Sequence, residues 1–295
     1  MIDVQRLRVL REVAEHGSFS KAAAALLLTP SAVSQQISAL ERSLGTAVVE
    51  RGARGTQLTE PGRMLVETAD VIIDELLSTQ ERIGRLTSGR VDRLTVATFA
   101  SGGQRLLPAA LQRFSASHPN VEFDVFESDP GDSIPQMRQG KADLALAYHF
   151  DGPPPITPAD RSGLEWTAVM DDPMWMVLPR HHRFAGRSSI ALAELGGERW
   201  VQGCVKINEI LESYAALAGI RIHVSCNTTD YTFAQALIAA GVGIGLVPEV
   251  ALTPNDQLMA IPLEPPRPSR YIGVVTRKRR PHPLVKDLLK ALAEG

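Results

Sequence analysis

The stretch SFSKAAAALLLTPSAVSQQISALERSLG, Ser18 to Gly45, decides how the first part of the chain folds. Before it, Val4, Leu7, Leu10, Val13 and Ala14 recur at helical spacing until Gly17, a residue suited to the left-handed turn that closes a helix. Ser18 is placed to cap a second, short helix over about Ser20 to Leu28, with Ala23, Leu26 and Leu27 on its inner side. Thr29 then reads as a cap, Pro30 as a tolerated first-turn proline and Gly45 as a stop, so a third helix runs to about Leu44. That helix has two faces. Val33, Ile37, Leu40 and Leu44 point one way, while Ser31, Ser34, Gln35 and Ser38 form a polar stripe.

A short helix, a tight turn at Thr29 and Pro30, and a second helix with an open polar stripe have helix-turn-helix geometry, in which the second helix reads the major groove. Serine hydroxyls permit close approach, and Gln35 suits bidentate bonding to adenine. On the stripe alone, a solvated surface is the commoner reading. Ala47 to Thr59 follows as two short strands around Gly52 to Gly55, a hairpin with Arg51 and Arg54 near its tip. Thr59, Glu60 and Pro61 open a long helix. Its apolar positions Leu65, Ala69, Ile72, Leu76, Ile83 and Leu86 alternate by four and three, with Thr79 filling the gap, a heptad seam that predicts a helix-to-helix dimer contact. The alternative is a face packed on its own domain.

After a linker at Ser88 to Asp92, strands and helices alternate: strand Leu94 to Thr98, helix Gly103 to Ser117, strand Val121 to Phe126, helix Ser133 to Gln139, strand Asp143 to Tyr148. Two successive βαβ units predict a parallel sheet with right-handed crossovers. Beyond the Pro-rich Gly152 to Pro158, strands are expected at Trp166–Met170, Met174–Leu178, Trp200–Val201, Arg221–Cys226, Ile244–Val247, Leu258–Leu263 and Tyr271–Thr276. Helices are expected at Ile207–Ala218, Tyr231–Ala240 and Pro283–Ala293. The fold class is α/β with an N-terminal domain dominated by helices, and the two α/β sets imply two lobes with a ligand cleft between them.

The 295 residues suffice for about two domains. With 31 Lys+Arg against 33 Asp+Glu the net charge is −2, so a nucleic-acid partner has to be argued from a local surface. The longest aliphatic run, Ala22 to Leu28, is far too short to span a bilayer, and the charged N-terminus lacks the apolar core of a signal peptide, so a cytoplasmic protein without membrane contact is expected. Cys204 and Cys226 are too few for a disulfide framework or a structural zinc site.

Residues 1 to 63, carrying the quoted stretch and VVERGARGTQLTEPGR, resemble the winged helix-turn-helix of LysR-type transcriptional regulators. The resemblance extends over the whole chain: SASHPNVEFDVFE, GKADLALAY, WMVLPRHHRFAGR and IAAGVGIGLVP each match a landmark of that family's effector domain. It implies a DNA-binding domain at 1–60, a dimerisation helix and hinge at 61–91, and a type 2 periplasmic-binding-protein-like domain at 92–295, with lobe one at 92–163 and 267–295 and lobe two at 164–266. Base readers would be Pro30, Ser31, Ser34 and Gln35, with Ser38 on the same stripe, and Arg51 and Arg54 of the wing would meet phosphate or the minor groove. Gln35 stands where Arg is frequent, and Pro30 and Ser31 replace a frequent Gln-Pro pair, so the docking mode carries over and the operator sequence does not. Expected partners are an interrupted palindrome in double-stranded DNA, a second copy and further a dimer of dimers, RNA polymerase as a candidate contact, and a small effector.

For that effector, Ser101, Gly102 and Gly103 would offer a hydroxyl and free N–H groups at a helix start, which suits an anion. Ser128, Tyr148 and His149 in lobe one and Gln202, Gly203 and Thr229 in lobe two match further pocket positions, while Asp230 reads as a helix cap. No cofactor, metal or catalytic site is expected. Gly241, Gly243 and Gly245 lead from a helix into a strand, the reverse of a dinucleotide fingerprint; His181 and His182 lack ligand-spaced partners; and Arg277 to Arg280 reads as a turn. Cys204 lies near the position of the reactive cysteine in the family's peroxide sensors, with Lys206 nearby, but Cys226 is its only other thiol, so a buried inert cysteine competes with a redox sensor. A solute-binding protein or enzyme would account for 92–295 and leave 1–63 unexplained.

Overall fold

The computed structural model describes residues 2–52, 55–87, 93–157, 163–203, 205–278 and 281–294, and its contacts divide into two compact units. The first begins with α1 (Val4–His16), capped by the Asp3 carboxylate and closed by Gly17 in the left-handed region. α2 (Phe19–Ala25) has Ser18 at its cap position, but the hydroxyl makes no capping bond, contrary to expectation. α2 ends in a Schellman-type turn, Leu28 N–H donating to the Ala23 carbonyl at 2.8 Å. In α3 (Pro30–Leu44) the Thr29 hydroxyl accepts the Ala32 N–H at 3.2 Å, Pro30 sits in the first turn and Gly45 closes the helix at φ 71°. Val9, Leu10, Val13, Ala22, Ala23, Val33, Ile37, Leu40 and Val48 form one buried cluster. β1 (Val49–Gly52) and β2 (Gly55–Leu58) pair antiparallel as the expected hairpin.

α4 (Glu60–Thr87) is the long helix. Its seam divides: Ala69 is buried and Leu65 and Ile72 are half-buried, packed with Ile73 around Leu7 of α1, whereas Leu76 and Ile83 are exposed. The side chain of Leu86 lies outside the described residues. The first half of the seam is therefore an intradomain face, because α1 lies across it.

In the second unit, β3 (Arg93–Thr98) pairs in parallel with β4 (Glu122–Glu127) and β5 (Leu144–His149), as two βαβ units require. The expected helix from Gly103 is two helices, α5 (Ala100–Arg105) and α6 (Leu107–Ser117): Pro108 has no N–H to continue the ladder, and the axis breaks at Leu106. α7 (Pro130–Arg138) starts three residues earlier than expected, on a first-turn proline.

Two expected strands, Trp166–Met170 and Met174–Leu178, are one 16-residue strand, β6 (Leu164–Pro179). Asp171, Asp172 and Pro173 look like a break in sequence, but the ladder continues through them because β6 changes partners there. Its first half pairs with β11 (Ser269–Arg277), and its second half pairs with β9 (Gly245–Pro248) and β10 (Leu258–Pro262), all antiparallel. The lobes thus join within β6 at Pro173, not at the expected Gly163–Glu165, and again between β10 and β11. Alongside stand β7 (Arg199–Gln202) paired in parallel with β8 (His223–Asn227), and the helices α8 (Val205–Leu217), α9 (Tyr231–Ala239) and α10 (Val285–Ala293). Lobe one has a core on each face of its sheet, around Leu94, Phe99 and Leu146 and around Ala97, Ala145 and Leu164. Lobe two is built likewise, around Met174, Trp200 and Leu246 and around Val177, Val201 and Val247.

Candidate DNA-reading face and effector cleft

α3 turns its polar stripe outward because its opposite face is held in the core. With Val33, Ile37 and Leu40 buried, Pro30, Ser31 and Gln35 are exposed and Ser34 and Ser38 are half-buried. The Ser31 and Thr29 hydroxyls are hydrogen-bonded at 3.0 Å, which orders the first turn. The wing is fixed to this helix and to the turn after α1: Glu41 Oε1 accepts the N–H groups of Val48 at 3.0 Å and Val49 at 3.5 Å, and Thr56 N–H donates to the Gly17 carbonyl at 3.0 Å. Arg51 lies on β1 opposite Thr56, and Arg54 lies outside the described residues.

In the second unit the effector candidates gather at the carboxyl ends of parallel strands, where α/β folds bind ligands. Ser101, Gly102 and Gly103 follow β3, Ser128 follows β4 with its N–H on the Thr98 carbonyl at 2.8 Å, and Tyr148 is the next-to-last residue of β5. Gln202 ends β7 and Gly203 follows it, the Gln202 carbonyl accepting Thr228 N–H at 2.8 Å. Exposed Thr229 precedes Asp230, whose carboxylate caps α9 through Phe233 N–H at 2.6 Å.

Two expectations change. One of the three expected donors is taken, since Gly103 N–H donates to the Phe99 carbonyl at 2.9 Å; Gly102 packs closely, a Cβ there standing 2.7 Å from Leu146 and Phe99 side-chain atoms. Tyr148 is not a rim residue; it is 6% exposed, with its ring edge-on to Phe99 at 4.9 Å. The half-buried His149 stacks on Tyr271.

Against the Phe99 and Tyr148 rings lies a charge that sequence reading missed. Arg270 is 2% exposed, with its guanidinium carbon 4.8 Å from the centroids of both Phe99 and Tyr148. Its Nε donates to Asp172 Oδ2 at 2.7 Å and its Nη2 donates to Ser101 Oγ at 3.0 Å. Asp172 is fully buried, and its other oxygen accepts Val250 N–H at 2.9 Å. Burial pushes the Asp172 carboxyl above its ordinary range, against the pull of the adjacent guanidinium. The lobes are tied elsewhere too: Arg105 donates to the Leu252 carbonyl at 2.6 Å, and Tyr214 Oη donates to Asp151 at 2.8 Å. Burial and that carboxylate push the Tyr214 phenol up to about 12.

Comparison with known proteins finds a family match for each of the two parts of the chain. The family described as "LysR substrate binding domain" matches residues 87–295, and "Bacterial regulatory helix-turn-helix protein, lysR family" matches residues 4–63. The chain belongs to the LysR family of DNA-binding transcriptional regulators. It is 24% identical to the uncharacterized HTH-type transcriptional regulator YybE of Bacillus subtilis over 94% of this chain and 92% of that protein. It is 25% identical to the DNA-binding transcriptional dual regulator OxyR of Escherichia coli over 100% and 94%. Among solved structures, full-length BenM superposes with a TM-score of 0.59 at 21% identity, covering 99% of this chain and 96% of that one. CbnR in complex with its target DNA superposes with a TM-score of 0.57 at 22% identity, covering 99% of each. These likenesses concern the fold.

Other residues of this LysR-type regulator take plain structural roles. Gly243 and Gly245 let strands approach, a Cβ there meeting the carbonyl oxygens of Arg199 at 2.4 Å and Val201 at 2.7 Å. His182 and Arg183 bond to Glu198, and although burial opposes it they hold that carboxyl below its ordinary range. Arg277 ends β11 and bonds to the Met137 carbonyl. Among the described residues no three His, Cys, Asp or Glu side chains cluster to hold a metal, and no helix is long and apolar enough to cross a membrane. Cys226 is half-buried, and Cys204 and the Lys206 side chain lie outside the described residues.

Proposed function

We propose that this regulator reads an interrupted DNA palindrome through Ser31, Ser34, Gln35 and Ser38, with Pro30 starting the reading helix and Arg51 and Arg54 holding the backbone, as a cytoplasmic dimer or dimer of dimers in contact with RNA polymerase. The observation that carries this is the outward polar stripe of a capped α3 whose apolar face is buried in the domain core. Gln35→Ala is expected to lose about 1–3 kcal/mol on the specific site and to relax its preference, while Arg54→Ala weakens all sequences and flattens the salt dependence. Equal losses on specific and random duplex for Gln35→Ala would falsify the assignment.

The domain after the linker is proposed to bind a small carboxylate-class metabolite between the lobes, with Ser101, Gly102, Gly103 and Ser128 on one side and Gln202, Gly203 and Thr229 on the other. Ser101 supports this choice, since its oxygen already accepts from Arg270 and its proton has no acceptor among the described residues. A thermal-shift panel of small carboxylates should give a compound that stabilises the wild type and fails on the Ser101→Ala, Thr229→Ala double variant. Unchanged stabilisation of that variant places the pocket elsewhere. No catalytic step is assigned to either domain.

A second reading, peroxide sensing at Cys204, draws on relatives such as the 25% identical hydrogen peroxide-inducible genes activator of Dickeya chrysanthemi. Thiol titration after mild peroxide separates the two readings: retention of both thiols with an intact carboxylate response excludes the redox one.

A further inference from the structure

We propose that Arg270 and Asp172 are positioning residues that carry occupancy of Ser101 in lobe one to the backbone of lobe two. This builds on the reading of Ser101 as an effector contact. The route is continuous and buried: Ser101 Oγ to Arg270 Nη2 at 3.0 Å, Arg270 Nη2 to Asp172 Oδ2 at 2.6 Å, and Asp172 Oδ1 to Val250 N–H at 2.9 Å. Ser101 is 6%, Arg270 2% and Asp172 0% exposed, so water does not compete for these bonds. Arg270 and Asp172 face each other in the β6–β11 ladder, next to the point where β6 leaves lobe one. The pair therefore sits on the pivot, and its two free ends reach the two bodies that the pivot joins.

The chemistry gives the chain a direction. Arg270 donates to Ser101 and leaves the Ser101 proton for an acceptor, so the group recognised there is an oxygen such as a carboxylate, not a second donor. An anion drawing on Ser101 also draws on the guanidinium, and the guanidinium is shared with Asp172. The guanidinium lies against both rings of the edge-on Phe99–Tyr148 pair and bonds to Asp172 through Nε and Nη2, so it has little freedom to move without shifting Asp172, whose other oxygen holds the turn at Glu249–Ala251. A buried ion pair that loses one neighbour is costly, so its remaining bonds respond.

The test uses the full chain without any added compound. Hydrogen–deuterium exchange is followed in the segment 248–254, which contains the Val250 amide, and in α8 as an internal reference. Ser101→Ala removes atoms in lobe one only, and it should raise exchange in 248–254 about tenfold, the loss of a charge-assisted bond, while leaving α8 unchanged. Ser101→Thr, which restores a hydroxyl, should return it to the wild-type rate. Arg270→Lys keeps the charge beside Asp172 but gives up the fork that reaches Ser101, and should behave as Ser101→Ala does. Exchange in 248–254 that is unchanged in Ser101→Ala, or raised equally in α8, overturns the proposal. If exchange responds as expected while the carboxylate panel still binds the Ser101→Ala, Thr229→Ala variant, the relay stands and the effector assignment falls.

Discussion

Leu27 closes α2 with φ 55° while 93% exposed, an arrangement that costs a branched L-residue about 1–2 kcal/mol and buries almost nothing in return. Leu27→Asn should therefore stabilise the DNA-binding domain by about 0.5–1 kcal/mol, since asparagine tolerates this conformation better. Urea unfolding of the wild type and variant checks it, and an unchanged or lowered midpoint refutes it. Residues of this kind, with Thr29 and Asp230, show which part of a site is legible in one sequence. Each cap acts on an N–H three positions away, so composition and spacing suffice to find it. Arg270 and Asp172 are 98 positions apart, and each is flanked by residues that read as turns or strand ends. Nothing local signals that they meet. The sequence points to the Ser101 helix start for its hydroxyl and N–H groups, but not to the arginine of a distant strand that polarises that hydroxyl.

At the scale of elements, periodicity located helices and strands and failed where tertiary pairing overrides a local break. Pro108 splits a helix because the missing donor is intrahelical, whereas Pro173 does not end β6 because the strand passes between two sets of neighbours at that residue. The same distinction governs α4, whose heptad pattern cannot tell a partner chain from α1. The helix start is held against the wing by contact that glycine alone permits: a Cβ on Gly62 would lie 2.0 Å from the Val48 carbonyl oxygen. Gly62→Ala should destabilise the N-terminal domain by about 3 kcal/mol and weaken DNA binding with it. A thermal midpoint equal to wild type would show that α4 shifts freely on the wing.

For the whole molecule, the apolar surface remaining on α4 is the place to test assembly. Leu76 is 53% and Ile83 55% exposed, so charge there disturbs no packing within the chain, unlike Ile72 beneath α1. Leu76→Asp with Ile83→Asp should sediment as a monomer, keep the helical circular dichroism of the wild type, and no longer protect two half-sites about 34 Å apart. A variant that stays dimeric assigns assembly to another surface. The two backbone N–H groups at the start of the hairpin that donate to the Glu41 carboxylate have a consequence for what can be exchanged between regulators. They tie α3 to the strand that begins the hairpin, so on the proposed reading the fit to an operator is set within the N-terminal domain. Grafting that domain onto another member's sensor should transplant the operator preference intact, while the inducing signal follows the sensor.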